Sequence, residues 1–144
     1  EFRNLDSGLY GRSLTVRAAT KAGENWTRFS LSPDGKRVAV RDTAERVTVY
    51  DAATGAVLGS SGEPSAGVTF VPGREWVLSS EYIRHPLSPG HGLRARTPPG
   101  FAVVADLPAA GLEPAVSDDG RVLVTGLNGM ASPEFAVWDL TAIP

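Results

Sequence analysis

Apolar and polar residues alternate along this chain in short runs. Segments of four to six residues rich in Val, Thr, Phe or Tyr are each closed by Gly, Pro or Asp. A period of two ended by turn formers is the pattern of half-buried strands, and no segment sustains the 3.6-residue period of a helix. The stretch "LSPDGK" shows the turn chemistry. Pro33 presets the backbone for the second position of a type I turn, Asp34 suits the third, and Gly35 follows, so the flanking strands should pair as a hairpin. Val38 and Val40 are expected to share a face of the next strand, and Val47 and Val49 a face of the one after it, across the polar turn "DTAE". Gly55 stands where "DAATG" needs a left-handed residue.

The unit recurs. "VTVYDAATG" aligns with "LTVRAATKAG" at 14–23, "AVVADLPAAG" at 102–111 and "FAVWDLTA" at 135–142. The strand pair before it aligns as "FSLSPDGKRVAV" at 29–40, "VTFVPGREWVLS" at 68–79 and "PAVSDDGRVLVT" at 114–125. The position that ends the second element falls at Ala18, Asp51, Asp106 and Asp139, with spacings of 33, 55 and 33 residues. The long middle interval contains "EYIRHPLSPGHGLRARTPPG", 81–100, whose Pro and Gly content reads as an inserted surface loop.

"SPDGKRVAV", "VTVYDAATGAVL" and the dipeptide Trp138-Asp139, with Tyr50-Asp51 in the same place, resemble the blades of WD-repeat and related bacterial β-propellers. The resemblance implies an all-β partial β-propeller of tandem antiparallel blades with three to four short strands each. It divides the chain into an N-terminal tail at 1–13, a blade remnant at 14–25, and blades at 26–64, 65–111 and 112–144, the second carrying the inserted loop. The family's Gly-His pair is out of place, since Gly90-His91 lies inside the insertion, and Ala105-Asp106 lacks the aromatic. Propellers close with at least four blades, so about three blades and a remnant leave two open ends. Either other residues complete the ring or further copies do. The missing initiator Met is expected to mark a piece of a longer chain, with "EF" as a cloning scar.

Composition narrows the function classes. A chain of 144 residues with a formal charge of −2 and a pI near 5.7 has no basic face for nucleic acid or anionic membrane, so neither is expected as a partner. There is no apolar run long enough for a membrane span and no N-terminal secretion pattern, and a cytoplasmic location is expected. Without cysteine there is no disulfide, thiolate metal site or cysteine nucleophile. Arginine far outnumbers lysine, which occurs only at Lys21 and Lys36, and this composition suggests a bacterial source.

Trp138, Tyr50 and Trp76 are expected to pack between blades, and Asp51, Asp106 and Asp139 to accept backbone hydrogen bonds in turns. The insertion carries the candidate partner-binding residues: Tyr82, Arg84, His85, His91, Arg94 and Arg96. Arginine forks, imidazoles and a phenol can stack on a ligand or hydrogen-bond to it, and loop charges should serve binding rather than stability. Two histidines six residues apart make no metal set, and no catalytic motif is present. No catalytic residue, metal or cofactor is expected. The functional expectation is a non-catalytic binding or scaffold module of a larger bacterial protein, with a protein or peptide partner. The alternatives are the propeller part of a hydrolase, lactonase or oxidoreductase, and a homo-oligomer that closes its own ring.

Overall fold

Three antiparallel sheets follow one another along the chain in this computed structural model, which describes residues 28–42, 44–83, 90–107, 114–126 and 135–143. The first sheet contains β1 (Arg28–Leu31), β2 (Arg37–Arg41), β3 (Val47–Asp51) and β4 (Val57–Ser60), in that order. The second contains β5 (Ser65–Phe70), β6 (Val77–Ile83), β7 (Gly90–Thr97) and β8 (Ala102–Leu107), again in sequence. The third contains β9 (Ala115–Val116), β10 (Val122–Gly126) and β11 (Phe135–Asp139), followed by a 3-10 turn over Leu140–Ala142. The expected remnant at 14–25 lies outside the described residues.

The hairpin turns are built by side chains that mimic backbone. Gly35 N–H donates to Ser32 O at 2.8 Å, closing the turn, and Gly35 takes φ +69°. Asp34 Oδ1 accepts from Ser32 Oγ at 2.6 Å and from Lys36 N–H at 3.0 Å, while Ser32 Oγ accepts from Arg37 N–H at 2.8 Å. Ser117, Asp119 and Gly120 repeat this arrangement before β10. The second sheet uses "VPGREW" instead, where Gly73 has φ +70° at the third position of a turn closed by Arg74 N–H on Val71 O, as a type II turn requires. After the third strands, Asp51 Oδ1 accepts from Thr54 Oγ1 and N–H, and Asp139 Oδ1 accepts from Thr141 Oγ1 and N–H. These hydroxyl and N–H donors hold the carboxyls of Asp34, Asp51, Asp119 and Asp139 below the ordinary aspartate value.

One sequence expectation changes. Segment 81–100 is not an inserted loop: its residues 81–83 finish β6 and 90–97 form β7, the third strand of the second sheet. "AVVAD" is accordingly a fourth strand, and Asp106 is not equivalent to Asp51. Tyr50 opposes Val38, Arg96 opposes Val77 and Trp138 opposes Leu123, so the equivalent strand ends are Asp51, Thr97 and Asp139, 46 and then 42 residues apart. The expected facing within each of the two strands holds, and the buried side of the hairpin is the one carrying Val47 and Val49. Ala39 opposes Val49, and these two share the buried face with Val47, while Val38 and Val40 lie on the other side of β2.

The second sheet is covered on both sides. Toward the first sheet, Phe70, Val77 and Phe101 pack with Ala39, Val47 and Val49. Toward the third, Leu78, Leu93, Ala95 and Leu107 pack with Leu123 and Leu140, and Trp138 adds to this cluster. Each junction also has a specific fastening. Phe101, at φ +54°, seats its ring where a Cβ on Gly59 would come within 2.6 Å of it. On the other side, Arg74 donates to Leu140 O at 2.9 Å and Ile143 O at 3.1 Å while its guanidinium lies 4.1 Å from the Trp76 ring centre. Gly120, at φ +70°, sits so close to Pro72 that a Cβ would collide with the Pro72 carbonyl.

Gly120→Ala is therefore expected to destabilise the chain by about 1–3 kcal/mol, because it combines left-handed strain with overpacking against backbone that cannot swing aside. Chemical denaturation of the variant reads this directly, with Gly62→Ala, at an open exposed position, as the near-neutral control. The depressed aspartates make a second prediction. Their contribution to stability is complete above the ordinary carboxylate range and is lost as pH falls through their lowered folded values. An acid titration of Asp34→Asn plus Asp119→Asn should show a shallower loss of stability than the parent.

Candidate functional site

Glu81 is the most deeply buried charge among the described residues, 1% exposed, near the end of β6. Alternation puts Val77, Ser79 and Glu81 on the side of the second sheet that faces the first, and Arg94 and Arg96 of β7 join them there. Arg96 is 7% exposed and grips the carboxylate with two parallel bonds, Nε to Oε1 and Nη2 to Oε2, both 3.0 Å. Ser79 Oγ donates to Oε1 at 2.6 Å and Arg94 Nη1 to Oε2 at 3.1 Å, so four donors converge on one carboxylate. Arg96 Nη1 donates to Phe101 O at 3.0 Å, and Arg94 Nε to Asp106 Oδ1 at 2.9 Å. Burial opposes the charge of Arg94, but Asp106 and Glu81 outweigh it and hold its pKa above the ordinary arginine value. The cluster holds two guanidinium charges and two carboxylates, each within hydrogen-bonding distance of the next.

Arg94 and Arg96 are thus strand residues and not loop residues. Arg96 is buried and its bonds turn inward, whereas Arg94 keeps about a quarter of its side chain exposed. Tyr82 and His91 are paired opposite one another where the β6–β7 hairpin leaves the sheet, and Arg84 and His85 lie outside the described residues. Glu81 and its partner Ser79 were missed by sequence reasoning. The signal was present in "LRAR", where Leu93 and Ala95 alternate with Arg94 and Arg96, a strand pattern with a charged inner face that requires a buried acid opposite.

The register also fixes which connections share a rim. Ser65 opposes Glu81, so the link from β4 to β5 at Ser61–Pro64 adjoins the open end of the β6–β7 hairpin. Ser65 N–H donates to Glu45 O at 2.7 Å, bringing the β2–β3 turn to the same edge. Gly62, Glu63 and Pro64 are exposed there, as are Ala44, Glu45 and Arg46. β6 and β7 have seven and eight residues where β2 and β3 have five each. Ile83 lies three residues beyond Ser80, the counterpart of the last residue of β2, so the hairpin projects about 10 Å farther than its neighbour. Between the first strands of the first two sheets lies a cavity of about 470 Å³, lined by Arg28–Ser30, Gly67–Thr69 and Pro114. Among the described residues, no three His, Cys, Asp or Glu side chains gather as a metal site, and no helix is long and apolar enough to cross a membrane.

No protein-family model matches the chain, and no curated protein matches it by sequence. Solved structures do match. A chain of a mitotic checkpoint complex superposes with a TM-score of 0.58 at 20% identity, over 77% of this chain and 36% of its own length. BamB from Moraxella catarrhalis superposes with a TM-score of 0.56 at 14% identity, over 77% of this chain and 32% of its own. Both neighbours are β-propellers, and this chain spans about a third of each. The three sheets are therefore blades, and the chain has the fold of a partial β-propeller.

Arg96→Met is expected to cost about 3–5 kcal/mol, since it leaves the Glu81 carboxylate buried without its main partner. Arg96→Lys should recover only part of this, because an ammonium cannot form the two parallel bonds. The double variant Glu81→Leu with Arg96→Met removes both charges and should be more stable than Arg96→Met alone. Thermal unfolding of the three proteins checks the order.

Proposed function

We propose that this chain is a non-catalytic, cytoplasmic binding module, a β-propeller segment of a bacterial protein that presents its linker rim to a protein or peptide partner. The observation that carries the reading is the β6–β7 hairpin, which overreaches the matching hairpin of the first blade on the edge where the blade-to-blade link also emerges. Tyr82, Arg84, His85 and His91 belong to this projection or to the segment it carries, and form the proposed contact set. Arg94 and Arg96 act beneath it by holding Glu81 and keeping β6 and β7 in register. The non-catalytic reading is supported by the way these charges are spent: Glu81, Arg94, Arg96 and Asp106 satisfy one another. A fold hosts many functions, so the proposal stands on this surface and not on the neighbours' biology.

The test uses a random peptide library selected on the immobilised chain. Binding of the enriched peptides is expected to fall at least tenfold when residues 84–89 are replaced by Asn-Gly, and to persist in Lys36→Ala, which lies at the other end of the strands. Equal binding to the trimmed chain overturns the assignment of the rim. Turnover of an ester, lactone or alcohol substrate by the purified chain overturns the non-catalytic reading.

A further inference from the structure

Most arginines among the described residues either spend their donors inside the protein or face water. Arg41, Arg74, Arg94 and Arg96 donate to protein oxygens, and the side chains of Arg46 and Arg121 are 55% and 72% exposed. Arg37, the first residue of β2, does neither. Its side chain is only 18% exposed, and among the described residues its guanidinium makes no hydrogen bond. The ion pair from Nη2 to Glu75 Oε1 spans 3.5 Å, and the Glu75 side chain is 75% exposed. A pair of that length at an exposed carboxylate contributes little. The guanidinium carbon also lies 6.0 Å over the Phe70 ring, a contact that uses no N–H donor. Arg37 lines a cleft of about 210 Å³ between the β1–β2 and β5–β6 turns, together with Ser32–Asp34 and Gly73–Glu75. Comparison with the next junction explains why the cleft is open. Arg37 and Trp76 hold the same place in their turns, their carbonyls accepting from Ser32 N–H and Val71 N–H. Arg74 roofs Trp76, whereas the matching residue in the first blade is Gly35, which has no side chain to roof Arg37.

We propose that this cleft is a carboxylate-binding site, in which Arg37 takes an acidic side chain or the terminal carboxylate of a peptide in place of Glu75. A guanidinium with its N–H groups unspent matches the two oxygens of a carboxylate, and the paired bonds are stronger than a single one. The volume suits one side chain or chain end, since whole small-molecule ligands occupy roughly 300–1,000 Å³. Charge decides among anions. Asp34 lines the same cleft, its carboxyl held low chiefly by Ser32 Oγ and to a smaller extent by the charge of Arg37, so one negative group is already near. A singly charged ligand that replaces Glu75 leaves the balance unchanged, whereas a phosphate dianion adds a charge that nothing offsets. Asp51, opposite Arg37 in the register, spends Oδ1 on the Thr54 turn. The site lies at the other end of the strands from the linker rim, and it stands whether or not that rim binds a peptide.

Nitrogen-edited NMR at low salt tests this with three short peptides. Acetyl-Gly-Asp-Gly-amide carries a side-chain carboxylate, acetyl-Gly-Gly-Gly carries a terminal one, and acetyl-Gly-Asn-Gly-amide carries neither. At least one of the first two should shift the Arg37 Nε–H signal and the amides of Gly73 and Glu75 saturably, and the tighter of them identifies the source of the carboxylate. The Asn peptide should leave these signals in place. Arg37→Met is expected to abolish the saturable shifts while leaving the far-ultraviolet circular dichroism unchanged. Glu75→Gln, at an exposed position, removes the competing carboxylate and should tighten binding about threefold or more. It decides the question even if Arg37→Met does not fold. Asp118→Asn removes the same charge from the third blade's turn and should leave the affinity unchanged. No saturable shift with either carboxylate peptide overturns the proposal, as does an equal response to the Asn peptide. So does weaker binding by Glu75→Gln, or equal tightening by Glu75→Gln and Asp118→Asn, which reports net charge alone.

Discussion

The carboxylate of Glu81 carries a charge into a place almost closed to water, and much of the second blade is organised around satisfying it. A buried carboxylate is tolerated only when its lone pairs are filled by donors in good geometry. Here that requires Arg96 to lie flat along β7 with its fork toward β6, Arg94 to reach the other oxygen, and Ser79 to turn its hydroxyl inward. The remaining donor of Arg96 meets the carbonyl of Phe101, and Phe101 in turn fills the space left open by Gly59 in the neighbouring blade. One acid thus ties the pairing of three strands to the seating of a ring between two sheets.

The junction on the opposite side is fastened by different means. Arg74 reaches across to the carbonyls that end the 3-10 turn and stacks on Trp76, and Gly120 lets two turns touch through their backbones. Both junctions share an apolar layer of modest residues, and both add polar or steric contacts that fit at only one place. The layer supplies most of the burial, whereas the added contacts select the neighbour.

How much of this was legible in the sequence depended on whether polarity and burial agreed. Where they agreed, the reading was sound: "SPDGK" and "SDDGR" are turns for the reasons their residues suggest, Gly55 is left-handed, and the strands around them pair as hairpins. The all-β class and the propeller architecture followed from those elements. Where polar groups were buried, the reading failed. β7 contains Gly, His, Arg and Thr, and so resembled a solvated loop, because the partners of its arginines lie on β6 and are not adjacent in sequence. Mistaking β7 for a loop shifted "AVVAD" from fourth strand to third and assigned Asp106 to a turn, although its carboxylate meets Arg94. The candidate site suffered most, since Arg96 proved to be buried and Arg94 partly so, and no periodicity separates a buried arginine from an exposed one.

The shared apolar layer also bears on how the chain reaches its native order. If every blade offers the same two faces, a nascent third blade could stack on the first as readily as on the second, and repeat proteins do fail by such misassembly. The contacts unique to each junction act against that error. A third blade docked on the first would meet Gly35 at the position of Arg74, and so no guanidinium for its closing carbonyls, although Pro33 stands there at the position of Pro72. In this light the Arg74 grip is a proofreading device, rejecting a wrong neighbour during folding as much as it strengthens the right one.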